Sequence, residues 1–243
     1  MREVAKGVFC VSGTDVNWVL VREGSDLTLI DGGWPGDVGA VEASIRALGC
    51  RPEDVRAMLL THAHADHVGA LPHLSQRYGV PSYMDSREVA HARGEHREQA
   101  TPLEVLKRIW HPGALPWALR ITRAGALRHH RVPDARAFPH EGPLDLPGHP
   151  KPIACYGHTS GHSAYHLAEA GVVVTGDALV TGHPLSDITG PQMLPRFFAA
   201  APQRALTALD NLAELDAETL LPGHGDPWHG SPRTAAAIAR DHS

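Results

Sequence analysis

Residues 61–67 read Thr61-His62-Ala63-His64-Ala65-Asp66-His67 and follow the apolar run Val55 to Leu60 without a break. Four metal-binding side chains fall within six residues. Imidazole nitrogen with carboxylate oxygen suits zinc and related divalent ions. In an extended stretch His62 and His64 project to one side, because side chains alternate with period two. Asp66 and His67 follow where the chain turns towards a helix, an arrangement suited to two adjacent metals. Histidine is abundant, at 18 of 243 residues, so a chance cluster has to be weighed. The deciding question is whether the rest of the chain supplies further ligands in similar settings.

Three more segments do. Gly157-His158-Thr159-Ser160-Gly161-His162 follows Pro152 to Tyr156, Thr175-Gly176-Asp177 closes Val172 to Val174, and Pro222-Gly223-His224-Gly225 closes Thr219 to Leu221. Each sets a His or Asp in a Gly-containing loop just past an expected strand, where sites are commonly built on a rigid sheet. Singly each is an ordinary turn. Four in series point to one composite centre.

With these motifs, and with Leu29-Ile30-Asp31-Gly32-Gly33 ahead of the first helix, the chain resembles the metallo-β-lactamase-fold superfamily from about Val8 to about Pro227. The resemblance implies an α/β (α+β) fold, a four-layer αβ/βα sandwich. It implies two divalent metal ions, zinc by default with iron or manganese fitting the same ligands. One metal would be held by His62, His64 and His158, the other by Asp66, His67 and His224, with Asp177 bridging. Asp66 would also orient a metal-bridging hydroxide for attack. Asp31 and His162 would support the ligands from outside, and His162, Tyr165 and His183 are weak candidates for a general acid or substrate contact.

The classical β-lactam-hydrolysing branches lack an Asp at the bridging position, so Asp177 points away from antibiotics. The full ligand set is similar to glyoxalase II-like thioesterases, lactonases and related esterases. The expectation is a hydrolase of a small ester, thioester or lactone. The alternatives are a phosphodiesterase and a mononuclear-iron sulfur dioxygenase, whose branch shares the His-x-His-Ala-Asp-His segment.

A formal charge of −5 and the lack of a Lys/Arg run give no attraction to nucleic acid. Cys10, Cys50 and Cys155 lack metal spacing and read as buried thiols, consistent with a cytoplasmic protein. No stretch is a signal peptide or a membrane span. The expected partner is a small-molecule substrate, with neither nucleic acid nor membrane, for a monomer or homodimer.

The patterning gives strands at Val8–Ser12, Asn17–Arg22, Leu27–Ile30, Arg56–Leu60, Pro81–Met84, Pro152–Tyr156, Ser163–Leu167, Val172–Thr175 and Thr219–Leu221. Helices are expected at Asp37–Leu48, Val68–Tyr78, Ser86–Arg93, Pro202–Leu215 and Pro232–Arg240. Between the halves, 94–150 is rich in Pro, His, Arg and Gly. It reads as a cap insertion of a single domain spanning 1–243, with helices at Pro102–Trp110 and Pro116–Arg128 and at least one Trp facing the substrate pocket. The Arg and His cluster from Arg120 to Arg131 reads as a solvated helix face, and His129, His130 and His242 as solvated.

Overall fold

The computed structural model describes every residue except Ile109, His129 and His130, with Pro102 described by its backbone alone. The solvated reading of His129 and His130 therefore lies outside the described residues. Seven strands form one sheet in sequence order: β1 (Arg2–Ala5), β2 (Val8–Ser12), β3 (Asn17–Glu23), β4 (Asp26–Ile30), β5 (Val55–Leu59), β6 (Ser82–Met84) and β7 (Ala135–Ala137). It is antiparallel through β4 and parallel from β4 to β7. The second sheet has β8 (Lys151–Ala154), β9 (Ser163–Leu167), β10 (Val172–Gly176), β11 (Thr219–Pro222) and β12 (Trp228–His229), in the order β12-β11-β10-β9-β8 with only β10 and β11 parallel. The helices are α1 (Val38–Ala47), α2 (Leu71–Tyr78), α3 (Ser86–Ala92), α4 (Pro102–Leu106), α5 (Ala114–Ala124), α6 (Pro202–Ala213) and α7 (Pro232–Asp241).

Strand alternation builds four layers. Val19 and Val21 of β3 face the other sheet, where they join Ile30, Leu59, Tyr165, Val172 and Val174. Trp18 and Leu20 of the same strand turn the opposite way and pack with Val41, Ile45, Leu71 and Leu74 of α1 and α2. On the second sheet Val173 and Leu220 meet Leu209 and Leu212 of α6 and Ala235, Ala236 and Ala239 of α7. Each buried Val or Leu is worth about 1.5–3 kcal/mol. A one-residue slip would exchange the two faces of a strand, so this packing fixes the register that aims the loops. No helix among the described residues is long and apolar enough to cross a membrane. All three cysteines are buried and free.

Several boundaries differ from expectation. The second helix begins at Leu71 rather than Val68, because Pro72 lies in its first turn, the His67 and Val68 N–H groups turn back to the His64 carbonyl, and those of Gly69 and Ala70 donate to the Gly33 and Gly32 carbonyls. α5 spans Ala114–Ala124 and stops where Gly125 takes a left-handed φ of 103°. α4 ends at Leu106, short of Trp110. Strands β1, β7 and β12 carry too little pattern to be expected. β7 lies inside 94–150 but pairs in parallel with β6, so that stretch is only partly a cap. The cap proper, with α4 and α5, packs Ala114, Trp117, Ile121 and Ala124 against Trp34, Ala65 and Val16.

Candidate metal centre

The loops after β5, β10 and β11, with the β8–β9 turn, converge at one edge of the sandwich. Ligand atoms of His62, His64, His158 and Asp177 lie within 4.8 Å of one another, as do those of Asp66, His67 and His224. Asp177 lies between the sets. Its Oδ2 is 3.7 Å from His62 Nε2, 3.4 Å from His158 Nε2 and 3.3 Å from His224 Nε2, and its Oδ1 is 3.5 Å from His67 Nε2. Asp66 Oδ2 lies 3.4 Å from His224 Nε2 and 3.8 Å from His67 Nε2. All seven residues named from the sequence are brought together. Gly223 makes room for this: a Cβ there would stand 2.2 Å from Asp177 Oδ1.

The outward nitrogens of four histidines are held by acceptors, which assigns the proton and turns the other lone pair inward. His67 Nδ1 donates to Asp31 Oδ2 at 2.8 Å, His224 Nδ1 to the Asp15 carbonyl at 2.6 Å, and His64 Nε2 to the Glu98 carbonyl at 2.6 Å. His62 Nδ1 donates to Thr61 Oγ1 at 3.0 Å, and that hydroxyl in turn donates to Asp31 Oδ2 at 2.8 Å. The inward atoms His62 Nε2, His67 Nε2 and Asp177 Oδ1 are buried with no hydrogen-bond partner. Leaving a buried polar atom unsatisfied costs about 1–3 kcal/mol. Facing one another, these atoms fit a cation held between them.

Electrostatics agree. Burial lowers the His67 pKa, but Asp177, Asp31 and Asp66 outweigh it and push the ring up to about 10. Burial and neighbouring rings, His67 foremost for His62 and His64 for His158, hold those two well below the usual histidine range. Asp177 lies well below the carboxylate range in spite of burial, because His224 and His67 face it. Three carboxyl groups among mostly neutral imidazoles make a site that attracts positive charge.

A family model described as the metallo-beta-lactamase superfamily matches residues 11–224. The chain belongs to the metallo-beta-lactamase superfamily. As a member it is a metallo-hydrolase. Its relatives include the "Probable metallo-hydrolase YflN" of Bacillus subtilis (strain 168), 27% identical over 94% of this chain and 87% of that protein. A hydroxyacylglutathione hydrolase of Alkalilimnicola ehrlichii is 29% identical over 76% of this chain and 52% of the relative. Among solved structures, the metallo-beta-lactamase family protein TTHA1429 from Thermus thermophilus superposes with a TM-score of 0.65 at 23% identity, covering 97% of this chain and 79% of that one. This last likeness concerns the shared superfamily fold.

The outer candidates separate. Asp31, with a φ of 61°, accepts from the Thr61 N–H at 2.8 Å as well as from His67, so one carboxylate orients two metal-binding rings. Substituting it with alanine is expected to weaken metal affinity about 10–100-fold. Competition against a chromophoric chelator reads this directly, and an unchanged affinity would contradict the role. His162 lies beneath the cluster, where its Nε2 accepts from the Asp177 N–H at 3.1 Å, and burial holds its pKa down at about 4. It positions the Asp177 backbone. Tyr165 is not a general acid: it is fully buried between the sheets and donates to the Leu60 carbonyl at 2.6 Å. His183 does reach the site, with its ring 5.3 Å from that of His224 and 5.4 Å from Trp117.

Three positioning residues escape a sequence reading. Glu88 on α3 accepts from the Ala63 N–H at 2.8 Å, the Thr159 hydroxyl at 2.7 Å, the Gly161 N–H at 3.1 Å and His91 Nδ1 at 2.8 Å. It ties the His62–His67 segment to the loop bearing His158. Glu98 of the cap holds His64 through its carbonyl and the Ser160 N–H through its carboxylate. Asp15 holds His224 through its carbonyl and Arg120 of α5 through its carboxylate, at 2.7 and 3.0 Å. All three pairings span turns with no mutual sequence signature.

Proposed function

We propose that the protein is a binuclear hydrolase of small carboxylic esters, thioesters or lactones, with zinc the ion best suited to its His-rich ligand set. The observation that carries this is Asp177 touching both ligand groups beside an apolar cavity. That cavity, of about 260 Å³, has His64, Asp66, His158, Asp177 and His224 on its floor. Trp34, Trp117, Ala118, Ile121 and Phe198 are among its other lining residues. No Lys or Arg among the described residues lines it. A neutral acyl group fits such walls, and beyond the metal ions themselves no side-chain cation lines the cavity among the described residues to receive a phosphodiester's charge. This favours carbonyl over phosphorus chemistry.

Bound divalent ions supply Lewis acidity and a more acidic water than bulk, near pKa 7 for zinc. The chain does the rest. Asp66, the least buried of the seven, presents a carboxylate oxygen to the cavity and accepts a proton from the attacking water. His183 Nδ1 accepts the Leu185 N–H at 3.0 Å, and burial, then His224, holds its pKa down at about 3. It therefore stays neutral and offers Nε2–H as a hydrogen-bond donor to a substrate oxygen, rather than serving as a proton source. Trp117 and Ile121 shield the acyl side from water.

The test combines elemental analysis with a panel of p-nitrophenyl esters, a thioester, a homoserine lactone and a bis-p-nitrophenyl phosphate. Two metals per chain with carbonyl substrates turned over fastest supports the reading. One iron per chain with oxygen uptake on a persulfide, or a preference for the phosphodiester, overturns it.

A further inference from the structure

A second cavity, of about 360 Å³, adjoins the one over the ligand cluster. Arg97, Arg128 and Arg131 line it, and it shares Gln99, Ala100, Ala126 and Leu127 with its neighbour. The two cavities divide charge sharply. Among the described residues the first is lined by three Asp and no Lys or Arg, the second by three Arg and no Asp or Glu. Arg128 and Arg131 are exposed and make no ion pair among the described residues. The cap segment 97–131 holds seven Arg or Lys against two Glu, in a chain whose net charge is −5. Arg128 and Arg131 thus present two guanidinium groups to one recess that no carboxylate lines among the described residues. The guanidinium fork matches the oxygen pairs of phosphate and carboxylate.

We propose that the arginine cavity is a subsite for an anionic group on the leaving-group side of the substrate. The acyl chain lies against Trp117 and Ile121, the scissile carbonyl lies at the ligand cluster, and the thiol or alcohol portion runs past Gln99 and Leu127 to the arginines. The substrate is then an acyl ester or thioester whose leaving group carries phosphate or carboxylate. Hydrolysis adds one water across the acyl C–S or C–O bond and releases a carboxylic acid and the anionic thiol or alcohol, with no change of oxidation state. This narrows the hydrolase reading above and rests on it for the position of the carbonyl. Arg128 and Arg131, read from the sequence as part of a solvated helix face, become part of the specificity apparatus.

The test uses the full-length, metal-loaded protein and its Arg128→Ala/Arg131→Ala variant. Substrates are p-nitrophenyl butyrate, S-butyryl-glutathione with a carboxylate leaving group, and butyryl-coenzyme A with a phosphate one. The expected result is a rise in KM of about 10-fold or more for one anionic thioester, with kcat and the neutral ester unaffected. Whichever thioester responds identifies the anion, and Arg→Lys substitutions should recover part of the loss. KM shifts of equal size for neutral and anionic substrates, or no response to either thioester, overturn the proposal. Calorimetric titration with the unreactive thioethers S-butyl-glutathione and S-butyl-coenzyme A separates the two readings. Binding that the double variant loses, without hydrolysis of any ester, keeps the subsite and sinks the hydrolase. Hydrolysis of neutral esters with no thioether binding does the reverse.

Discussion

Asp177→Ala is expected to reduce kcat by more than the about 10–100-fold that follows loss of an outer partner of a metal ligand, and to lower the bound metal measured by elemental analysis. Asp177 is 3% exposed and lies within 3.7 Å of ring nitrogens from both ligand groups. Removing it leaves buried imidazoles of both groups facing one another with only Asp66 among the ligands, beside His67 and His224, to offset them. Asp177→Asn keeps the volume and one acceptor oxygen but not the charge, so it separates electrostatics from packing. Circular dichroism should report a folded chain in both cases. A variant with wild-type metal content and kcat within a few-fold would remove Asp177 from the centre.

Glu88→Ala is expected to be the most damaging single change to stability outside the apolar layers. The substitution strands the Ala63 and Gly161 N–H groups and the Thr159 hydroxyl, all bonded to the carboxylate. A loss of about 3–5 kcal/mol follows from breaking such a buried charged network, or a fall in melting temperature of roughly 10 °C for a chain of this size. Burial works to raise the Glu88 pKa, but the hydrogen bonds from His91, Thr159 and the Ala63 N–H prevail and hold it down at about 2, against 4.5 for a free side chain. The folded form thus prefers the ionised group. Its contribution, about 3 kcal/mol by linkage, is complete above pH 4.5 and is lost as pH falls from there towards 2. Wild-type protein should lose stability over that window, and Glu88→Gln should lose less of it. Denaturant titrations at pH 7 and pH 3 compare the two, and parallel losses in both proteins would refute the assignment.

The ligand set was legible because each of its four parts sits at a strand end beside a glycine or a tight turn. There an apolar run and a polar cluster adjoin in the sequence itself. Helix ends were less legible: Pro72 and Gly125 override the periodicity that extended α2 to Val68 and α5 to Arg128. Strands β1, β7 and β12 have 4, 3 and 2 residues, too few for alternation to stand out, and exist because a neighbouring strand offers its edge. The aromatics named in the cap segment part ways in the fold. Trp117 lines the cavity, whereas Trp110 is 83% exposed and Phe138 packs between the sheets.

By itself the sequence determined which side chains this chain has to offer a metal and that they hang from strand ends, because ligand chemistry and strand periodicity are both local. Apart from Asp31 and His162, which the family resemblance already set behind the ligands, only the tertiary structure decided what orients them and what approaches them. Asp31 reaches His67, Glu88 reaches Ala63, Glu98 reaches His64 and Asp15 reaches His224 across 36, 25, 34 and 209 residues. Such pairings follow from the packing of two sheets and a cap, and no local pattern encodes them. The division between an apolar cavity and an arginine cavity arises the same way, from which sides of the cap segment the packing of Trp117 and Ile121 turns inward.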